Sequence, residues 1–250
     1  MKIAVALKAV HDGEDIQVAG DRTLDYSKSK LTISEYDKNA IELAAQLAAD
    51  GGDAVALTVG AAEVDNSKLK KDILSRGVSE LYMAADDACA DLDARATAAE
   101  LAAQLEAAGG ADLVVCGDGS ADNYMQQVEV QLAEALGWPV VTAVSSVEAG
   151  DGKVVCTRTL EDCFETVEVS LPAVVSVTPD AAEPRIPGMK DILAAGKKPM
   201  NVSAAAAAPE ASLETVECLA PEQVARKQEV MDAADEGAVE KFAAAVKAAL

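Results

Sequence analysis

The sequence predicts an α/β fold with a doubly wound, mostly parallel sheet, added antiparallel strands and a C-terminal arm. Through the first half of the chain, buried apolar strands alternate with amphipathic or Ala-rich helices. After Pro139, strand patterns follow one another without a helix between them. Of the 250 residues, 50% are hydrophobic but only 3% are aromatic, so Ala, Val, Leu and Ile must build the core. Such side chains suit parallel strands covered by closely packed helices.

The alternating half supplies both layers of the predicted sandwich. The predicted strands are Lys2–Ala9, Ala54–Val59, Glu80–Ala84 and Leu113–Cys116. The predicted helices are Ile33–Ala49, Asn66–Arg76, Asp91–Ala108 and Tyr124–Leu136. Ser34 lies at the start of the first helix and Asp37 follows three residues later, which predicts an approximate capping box.

The second half of the chain contains four further predicted strands, followed by a segment that does not continue the strand–helix pattern of the domain. The predicted strands are Val140–Val147, Val154–Leu160, Thr166–Leu171 and Ala173–Val177, partly antiparallel. Pro179–Pro199 is rich in Pro, Gly and charge, so no element is predicted there. Ala204–Ala208 with Pro209 reads as a linker, and Ala238–Leu250 as an amphipathic helix. We therefore divide the chain into a domain over residues 1–199 and an arm over 200–250, which either docks on a partner or folds back.

Charge and composition disfavour several classes of function. The net charge is −22, from 43 acidic and 21 basic residues, and such a field repels nucleic acid and anionic membrane surfaces. No apolar run approaches the roughly 20 residues that span a bilayer, and Met1–Val10 is too short for a signal peptide. We expect a cytoplasmic protein without direct membrane insertion. Five cysteines without a C-x-x-C pair, and one histidine, predict no metal site.

The segment Cys116–Val128 is a candidate phosphate site. A Gly-rich turn between a parallel strand and a helix places free backbone N–H groups around a small volume, where the helix dipole favours an anion. Gly117 and Gly119 allow close approach, and Ser120 adds a hydroxyl donor. Asp122 is better placed to cap the helix than to bind phosphate. The segment matches neither the P-loop nor the dinucleotide fingerprint, so a plain connecting turn remains the alternative.

The position of this segment in the predicted sheet supports a phosphate site more strongly than its residue types do. In open parallel sheets, ligands bind beyond the carboxyl ends of the strands. The ends of the first, second and fourth strands, at Ala6–Ala9, Val59–Gly60 and Gly117, should open onto one crevice.

A second candidate surface is the loop from Glu183 to Lys190. Two prolines stiffen this loop around Ile186, and Arg185 and Lys190 flank it. An apolar tip that is held rigid suits protein docking, and an ordinary surface loop is the alternative.

Several motifs, in this order and spacing, resemble the β (small) subunit of an electron transfer flavoprotein. They are Val5-Ala-Leu-Lys8, Tyr36-Asp-Lys-Asn-Ala-Ile-Glu42, Leu74-Ser-Arg-Gly77, Cys116-Gly through Gln126-Gln-Val128, Leu136-Gly-Trp-Pro139, Leu171-Pro-Ala-Val174, and Pro184 through Met189-Lys190. The resemblance runs from Met1 to about Pro199. The stretches Gly117–Gln127, Arg158–Asp162 and Ile186–Leu193 are similar to the FixA-like branch.

The resemblance implies an adenine-nucleotide-binding, flavodoxin-like domain that pairs with an α subunit containing FAD. This subunit would bind a second FAD, which we favour because the branch is associated with electron bifurcation, or else a structural AMP. The implied cofactor contacts are Ala6, Ser34, Glu35, Tyr36, Asp37, Val59, Gly117, Asp118, Gly119, Ser120, Ala121, Asp122, Asn123, Tyr124, Met125, Gln126, Gln127 and Val128. The implied docking residues are Glu183, Pro184, Arg185, Ile186, Pro187, Gly188, Met189 and Lys190.

The same resemblance implies an electron carrier and not an enzyme with catalytic residues of its own. Its other partners would be flavin dehydrogenases or quinone- or ferredoxin-linked oxidoreductases. A flavin would extend past the first strand toward Val10, His11 and Asp12, where His11 either hydrogen-bonds the ring or is a solvated strand-end histidine. The alternatives from other classes are a stand-alone adenine-nucleotide enzyme, such as a pyrophosphatase, and a nucleotide-sensing module of the universal stress type.

This sequence departs from the usual family pattern at the cofactor positions. The usual Gln-Ala-Ile is Gly119-Ser-Ala121, and the usual second Asp is Tyr124. The usual Asn-Pro is Ser34-Glu35, and a usual Gly is Glu129.

Overall fold

The computed structural model describes residues 1–206, 210–226 and 228–249. The strands are β1 Lys2–Ala6, β2 Ala9–His11, β3 Gln17–Val18, β4 Leu24–Asp25, β5 Leu31–Ile33, β6 Asp53–Gly60, β7 Glu80–Ala85, β8 Leu113–Gly117, β9 Val140–Gly150, β10 Lys153–Thr159, β11 Phe164–Ser170, β12 Ala173–Val177 and β13 Met200–Ser203. The helices are α1 Glu35–Leu47, α2 Ser67–Ser75, α3 Ala94–Ala107, α4 Val128–Leu136, α5 Met189–Ala195 and α6 Ala238–Ala249.

Nine strands form one sheet in the order β11-β10-β9-β12-β8-β1-β6-β7-β13. The strand β1 lies between β6 and β8 and is parallel to both, with Ala4 opposite Val55 on one side and Val114 on the other. The strand β12 is parallel to β8 and to β9, whereas β9, β10 and β11 form an antiparallel extension. The predicted mostly parallel α/β sheet with added antiparallel strands is therefore confirmed.

Helices cover both faces of this sheet. Alternate residues of a strand point to opposite faces, so Ile3 and Val5 of β1 pack in a cluster with Ile41 of α1. Ala4 belongs to a second cluster, on the other face, with Leu101 of α3 and others. A core on each face gives the doubly wound arrangement in which the carboxyl ends of the parallel strands stay open to a ligand.

The first strand is shorter than predicted. It ends at Ala6 and not at Ala9, and Ala9–His11 pairs instead with β5 in a separate two-stranded sheet. The start of α1 redirects the chain, because the N–H of Lys8 donates to the Asp37 carboxylate at 2.7 Å and the Lys8 carbonyl accepts from the Ser34 N–H at 3.0 Å.

The predicted capping box at α1 is wrong. Ser34 is the N-cap residue, but its hydroxyl makes no cap hydrogen bond and instead accepts from the Ala121 N–H at 3.1 Å. The Asp37 carboxylate accepts from Lys8 and Gly117, outside the helix. Both side chains therefore join α1 to neighbouring segments.

The helix α4 begins at Val128, four residues after the predicted start at Tyr124. Tyr124 and Gln126 have φ angles of 46° and 54°, and left-handed residues cannot continue a right-handed helix. Asp122 does not cap this helix either, because its carboxylate accepts from the Asn123 N–H and pairs with Lys8. The Gly-rich turn is thus a longer loop than expected.

The segment Pro179–Pro199 contains two elements that the sequence did not predict. A short 3-10 helix spans Pro179–Ala181, and α5 follows at Met189–Ala195. The Asp191 carboxylate accepts from the Gly188 N–H at 2.9 Å and so stabilises the first turn of α5. In the part of the chain that the structure describes, no helix combines the length and apolar character that crossing a bilayer requires.

The arm contacts the domain at its beginning and leaves it toward its end. The strand β13 pairs with β7 in parallel, and the Ala206 N–H then donates to Glu100 at 2.9 Å. Farther along, the Ser212 N–H donates to Asp93 at 2.6 Å and the Ala220 N–H to the Arg22 carbonyl at 2.9 Å. Of the predicted linker and terminal helix, residues 207–209 and 250 lie outside the described residues.

Candidate functional site

The carboxyl ends of β1, β6 and β8 lie side by side at one edge of the sheet, as predicted. Asp37, on the first turn of α1, joins two of these ends. Its carboxylate accepts from the N–H of Lys8 at 2.7 Å and from the N–H of Gly117 at 3.3 Å. This one buried carboxylate therefore fixes the floor of the crevice.

Burial governs the ionisation of Asp37. Desolvation raises the pKa of Asp37 to about 7, against the hydrogen bonds from Lys8 and Gly117 and the charge of Lys8, which lower it. The nearby Asp122 carboxylate raises the pKa further. Asp37 is thus a proton-binding group near neutral pH within the crevice.

An ion pair joins the segment after β1 to the Gly117 loop. The Lys8 ammonium lies 2.6 Å from the Asp122 carboxylate. Partial burial opposes ionisation of Asp122, but hydrogen bonds from Lys8 and Ser120 hold the pKa of Asp122 below its ordinary value. Lys8 is not among the predicted site residues, although a lysine within the apolar stretch Met1–Val10 was a signal for it.

The Gly117 loop packs tightly against α1. A Cβ on Gly117 would lie 2.6 Å from the Asp37 carboxylate and 2.9 Å from the Tyr36 carbonyl carbon, so only glycine allows this approach. Among the described residues, the N–H groups of Gly119 and Ser120 donate to no acceptor. The loop therefore presents two adjacent backbone donors, as an anion cradle requires.

Tyr124 and Asp118 form the outer part of the loop. The Tyr124 hydroxyl donates to the Asp118 carboxylate at 2.8 Å, and the Gln126 amide donates to the same oxygen at 3.0 Å. The bond to Asp118 raises the pKa of Tyr124 to about 12. The Tyr124 ring also packs on Tyr36, with ring centroids 5.0 Å apart.

A second carboxylate lies behind the loop at Glu129, on the first turn of α4. Burial raises the pKa of Glu129, and the charge of Asp118 raises it further. The side chain is almost fully buried.

Past the end of β1, the rings of His11 and Tyr26 pack with centroids 4.7 Å apart. His11 Nε2 lies 3.9 Å from the Glu63 carboxylate, which follows β6. In the described structure, His11 Nδ1 is buried without a hydrogen-bond partner. Burial therefore keeps this nitrogen out of contact with solvent in the described structure.

The structure brings most of the proposed cofactor residues together, but not all of their side chains. Ala6 lies at the end of β1 beside Cys116, and Val59 lies near the end of β6. Glu35 points outward, with its carboxylate 2.5 Å from the Lys38 ammonium. The exposed side chains are Glu35, Ala121, Asp122, Asn123, Tyr124, Met125, Gln126 and Gln127.

Gln127 faces the arm. It lines a cavity of about 180 Å³ together with Asp93 and Arg95 at the start of α3, and with Ser212 and Leu213 of the arm. The guanidinium of Arg95 donates to the Ser212 hydroxyl at 3.0 Å. The arm therefore passes beside the start of α4 on its way to Arg22.

The loop at Glu183–Lys190 has a fixed base and an exposed tip. The Arg185 guanidinium contacts the Glu42 carboxylate of α1 at 2.5 Å and 3.0 Å, and the Arg185 carbonyl accepts from Arg76 at 3.3 Å. Ile186 beside it is 95% exposed. Met189, Ile192 and Leu193 of α5 are exposed as well, so the loop and helix present an apolar surface.

In the regions that the structure describes, no three His, Cys, Asp or Glu side chains lie close enough together to hold a metal ion. All five cysteines are free thiols, with Cys89, Cys116 and Cys156 buried and Cys163 and Cys218 exposed.

The fold and the crevice have the layout of α/β proteins that bind nucleotides beyond the carboxyl ends of parallel strands. The model of the electron transfer flavoprotein domain matches residues 23–208. The chain therefore belongs to the electron transfer flavoprotein family. Members of this family are flavin-associated electron carriers.

Proposed function

We propose that this chain is the β subunit of a FixA-like electron transfer flavoprotein and that it binds an adenine nucleotide, preferably FAD, in the crevice. One observation carries the proposal. In a chain of this family, the Gly117 loop presents the unpaired N–H groups of Gly119 and Ser120 beside the strand ends that Asp37 joins. Cytoplasmic location and pairing with an FAD-containing α subunit belong to the same proposal.

The residues fit the phosphate of such a nucleotide. Gly119 has no Cβ to block the approach, and two neighbouring amide donors suit phosphate oxygens. Asp118 and Asp122 would repel phosphate if they were unpaired. The ion pair with Lys8 offsets the charge of Asp122, and the Gln126 amide donates to the Asp118 carboxylate.

Bound FAD would supply the electron-transfer chemistry through its isoalloxazine ring. The chain's own residues bind and orient it. Asp37 holds the ends of β1 and β8 in place, and the ring pair of His11 and Tyr26 would lie beside a ligand that extends past β1. We favour FAD over AMP because the FixA-like branch, which this sequence resembles, is associated with electron bifurcation and so with a second flavin in this subunit.

Partner contacts are proposed on two separate surfaces. The apolar face of α6, with Val239, Phe242 and Val246, is exposed and suits the α subunit. A stand-alone nucleotide-binding module would not require an exposed apolar helix face of this kind. The apolar tip at Ile186 suits a flavin dehydrogenase or a quinone- or ferredoxin-linked oxidoreductase, because its base is held by the pairing of Arg185 with Glu42.

The test is a nucleotide count on the heterodimer. The chain is co-expressed with its α subunit, the purified complex is denatured, and released FAD and AMP are measured by chromatography. We expect two FAD per heterodimer after incubation with excess FAD. One FAD and one AMP would contradict the bifurcating assignment and indicate a one-flavin carrier, whereas one FAD alone would contradict nucleotide binding at the Gly117 loop.

A further inference from the structure

The Tyr124 ring occupies the open side of Gly119. A Cβ built on Gly119 would lie 2.5 Å from Cδ2 and 2.8 Å from Cε2 of this ring. The space that glycine leaves free for a close approach is therefore filled by a side chain of the same loop. The neighbouring N–H groups of Gly119 and Ser120 have no acceptor among the described residues.

A small set of contacts holds the ring in this place. The Tyr124 hydroxyl donates to Asp118 at 2.8 Å, and the ring packs on Tyr36 with an interplanar angle of 49°. The Gln126 amide supports the same carboxylate at 3.0 Å. These contacts lie at the surface, and Tyr124 is 44% exposed.

The backbone of this segment is strained when the ring lies against Gly119. Tyr124 and Gln126 have φ angles of 46° and 54°, in the left-handed region that residues with a Cβ seldom adopt. The contacts to Asp118 and Tyr36 must offset this strain. Release of these contacts would let the segment between Asn123 and Gln127 relax, so the loop has a physical reason to adopt a second conformation.

We propose that Tyr124 is a movable cover of the nucleotide cradle, and that it must leave Gly119 before a phosphate can reach the N–H groups of Gly119 and Ser120. The proposal rests on the proposed nucleotide site at the Gly117 loop. Tyr124 is a positioning residue, since it controls access and does not itself bind the phosphate.

A cover that opens before binding leaves a kinetic signature. The observed association rate of a nucleotide reaches a plateau at high concentration, because opening becomes the slow step. Tyr124→Phe keeps the ring but loses the bond to Asp118, so the plateau should rise about ten-fold. Tyr124→Ala removes the ring, and the observed rate should then increase linearly with concentration.

The experiment measures AMP binding to the full-length chain by stopped-flow mixing. AMP is the probe because both proposed ligands contain its phosphate and adenine. Tyr82→Phe is the matched control, since the Tyr82 hydroxyl donates to the Glu80 carboxylate at 2.8 Å on β7. This control should leave the AMP association rate unchanged. Fluorine NMR of chains labelled with 3-fluorotyrosine, with the Tyr124 signal assigned from Tyr124→Phe, should show that signal move on AMP addition.

The outcomes separate the cover from the site. AMP binding to the wild type and to Tyr124→Ala at equal rates, with an unmoved Tyr124 signal, would overturn the cover and leave the nucleotide site standing. AMP binding to Tyr124→Ala alone would support a cover that is closed in the isolated chain. Failure of the wild type and of every variant to bind AMP or FAD would overturn the nucleotide site itself, and the cover with it.

Discussion

Asp37 is a buried carboxylate that joins three segments of the crevice at the scale of single residues. It lies on α1 and accepts from Lys8 after β1 and from Gly117 at the end of β8. The pKa of Asp37 is raised to about 7 because burial disfavours its charge. The stability of the crevice floor therefore depends on proton binding by Asp37 near neutral pH.

Asp37→Asn removes this titration and keeps the side-chain size. The folded protein holds a proton on Asp37 up to a pKa of about 7, whereas the unfolded chain releases it at the ordinary value of 3.8. The stability from this group is therefore complete below the ordinary value and is lost as pH rises through the folded value. We expect the unfolding free energy of the variant, relative to wild type, to rise by about 1.4 kcal/mol per pH unit between about pH 5 and 7.

The measurement is urea unfolding of both proteins across that pH range. An Asn side chain has one acceptor oxygen for the two N–H donors, so the variant also carries a constant loss of stability at every pH. Asp21→Asn is the control, because hydrogen bonds from Thr23 hold the pKa of Asp21 below its ordinary value, so its linkage lies at lower pH and is independent of Asp37. Parallel pH profiles for Asp37→Asn and wild type would show that Asp37 is ionised throughout.

At the scale of elements, the loop at Glu183–Lys190 and α5 form a surface with a rigid base. Arg185 contacts Glu42 of α1. The Lys198 ammonium donates to the carbonyl of Leu74 in α2 at 2.7 Å and to that of Val78, after α2, at 2.6 Å. Two helices of the domain thus hold the base, while Ile186 stays exposed. Such preorganisation lowers the entropy lost on docking.

Ile186→Ser should separate docking from folding. Because Ile186 is 95% exposed, the unfolding free energy should change by less than about 0.5 kcal/mol. The affinity of the heterodimer for a flavin dehydrogenase that reduces it should fall about thirty-fold, as expected for an apolar anchor. Titration calorimetry measures this affinity. Phe164→Ser, at an exposed site on β11, is the control and should leave it unchanged. Equal affinity of Ile186→Ser and wild type would remove the loop from the docking surface.

At the scale of the whole molecule, the arm divides into an anchored part and an unpartnered part. The strand β13 extends the sheet, and backbone N–H groups of Ala206 and Ser212 donate to Glu100 and Asp93. In contrast, α6 exposes Val239, Phe242 and Val246 along one face. The first part belongs to the fold of this chain, and the second part is the surface we assign to the α subunit.

Two truncations distinguish these parts. A chain that ends at Gly237 lacks α6 and should keep the wild-type unfolding free energy, because Ala238 is the only buried residue of the described α6. Its affinity for the α subunit in titration calorimetry should fall at least ten-fold. A chain that ends at Pro199 also loses β13, which leaves β7 as an edge strand and should lower the stability of the domain. Unchanged subunit affinity of the first truncation would show that α6 does not contact the α subunit.

The sequence by itself determined most of the main strands and helices, the fold class and the edge of the sheet where the candidate site lies. Apolar periodicity is a local property, so Ala54–Val59 and Leu113–Cys116 could be predicted as strands without knowing their neighbours. The rule that ligands bind at the carboxyl ends of parallel strands then placed the crevice. The extra strand β13 escaped prediction because an edge strand of four residues carries little periodicity.

Only the tertiary structure decided what fills the crevice and how it is held. The capping pattern around Ser34 and Asp37 predicted contacts within α1, but both side chains bond to residues that lie far away in the sequence, such as Gly117 and Ala121. Likewise, the helical pattern that begins at Tyr124 gave no sign of its left-handed backbone, which the contacts to Asp118 and Tyr36 stabilise. Hydrogen bonds between distant segments outweigh local propensity here, because buried polar groups must find partners wherever the fold supplies them.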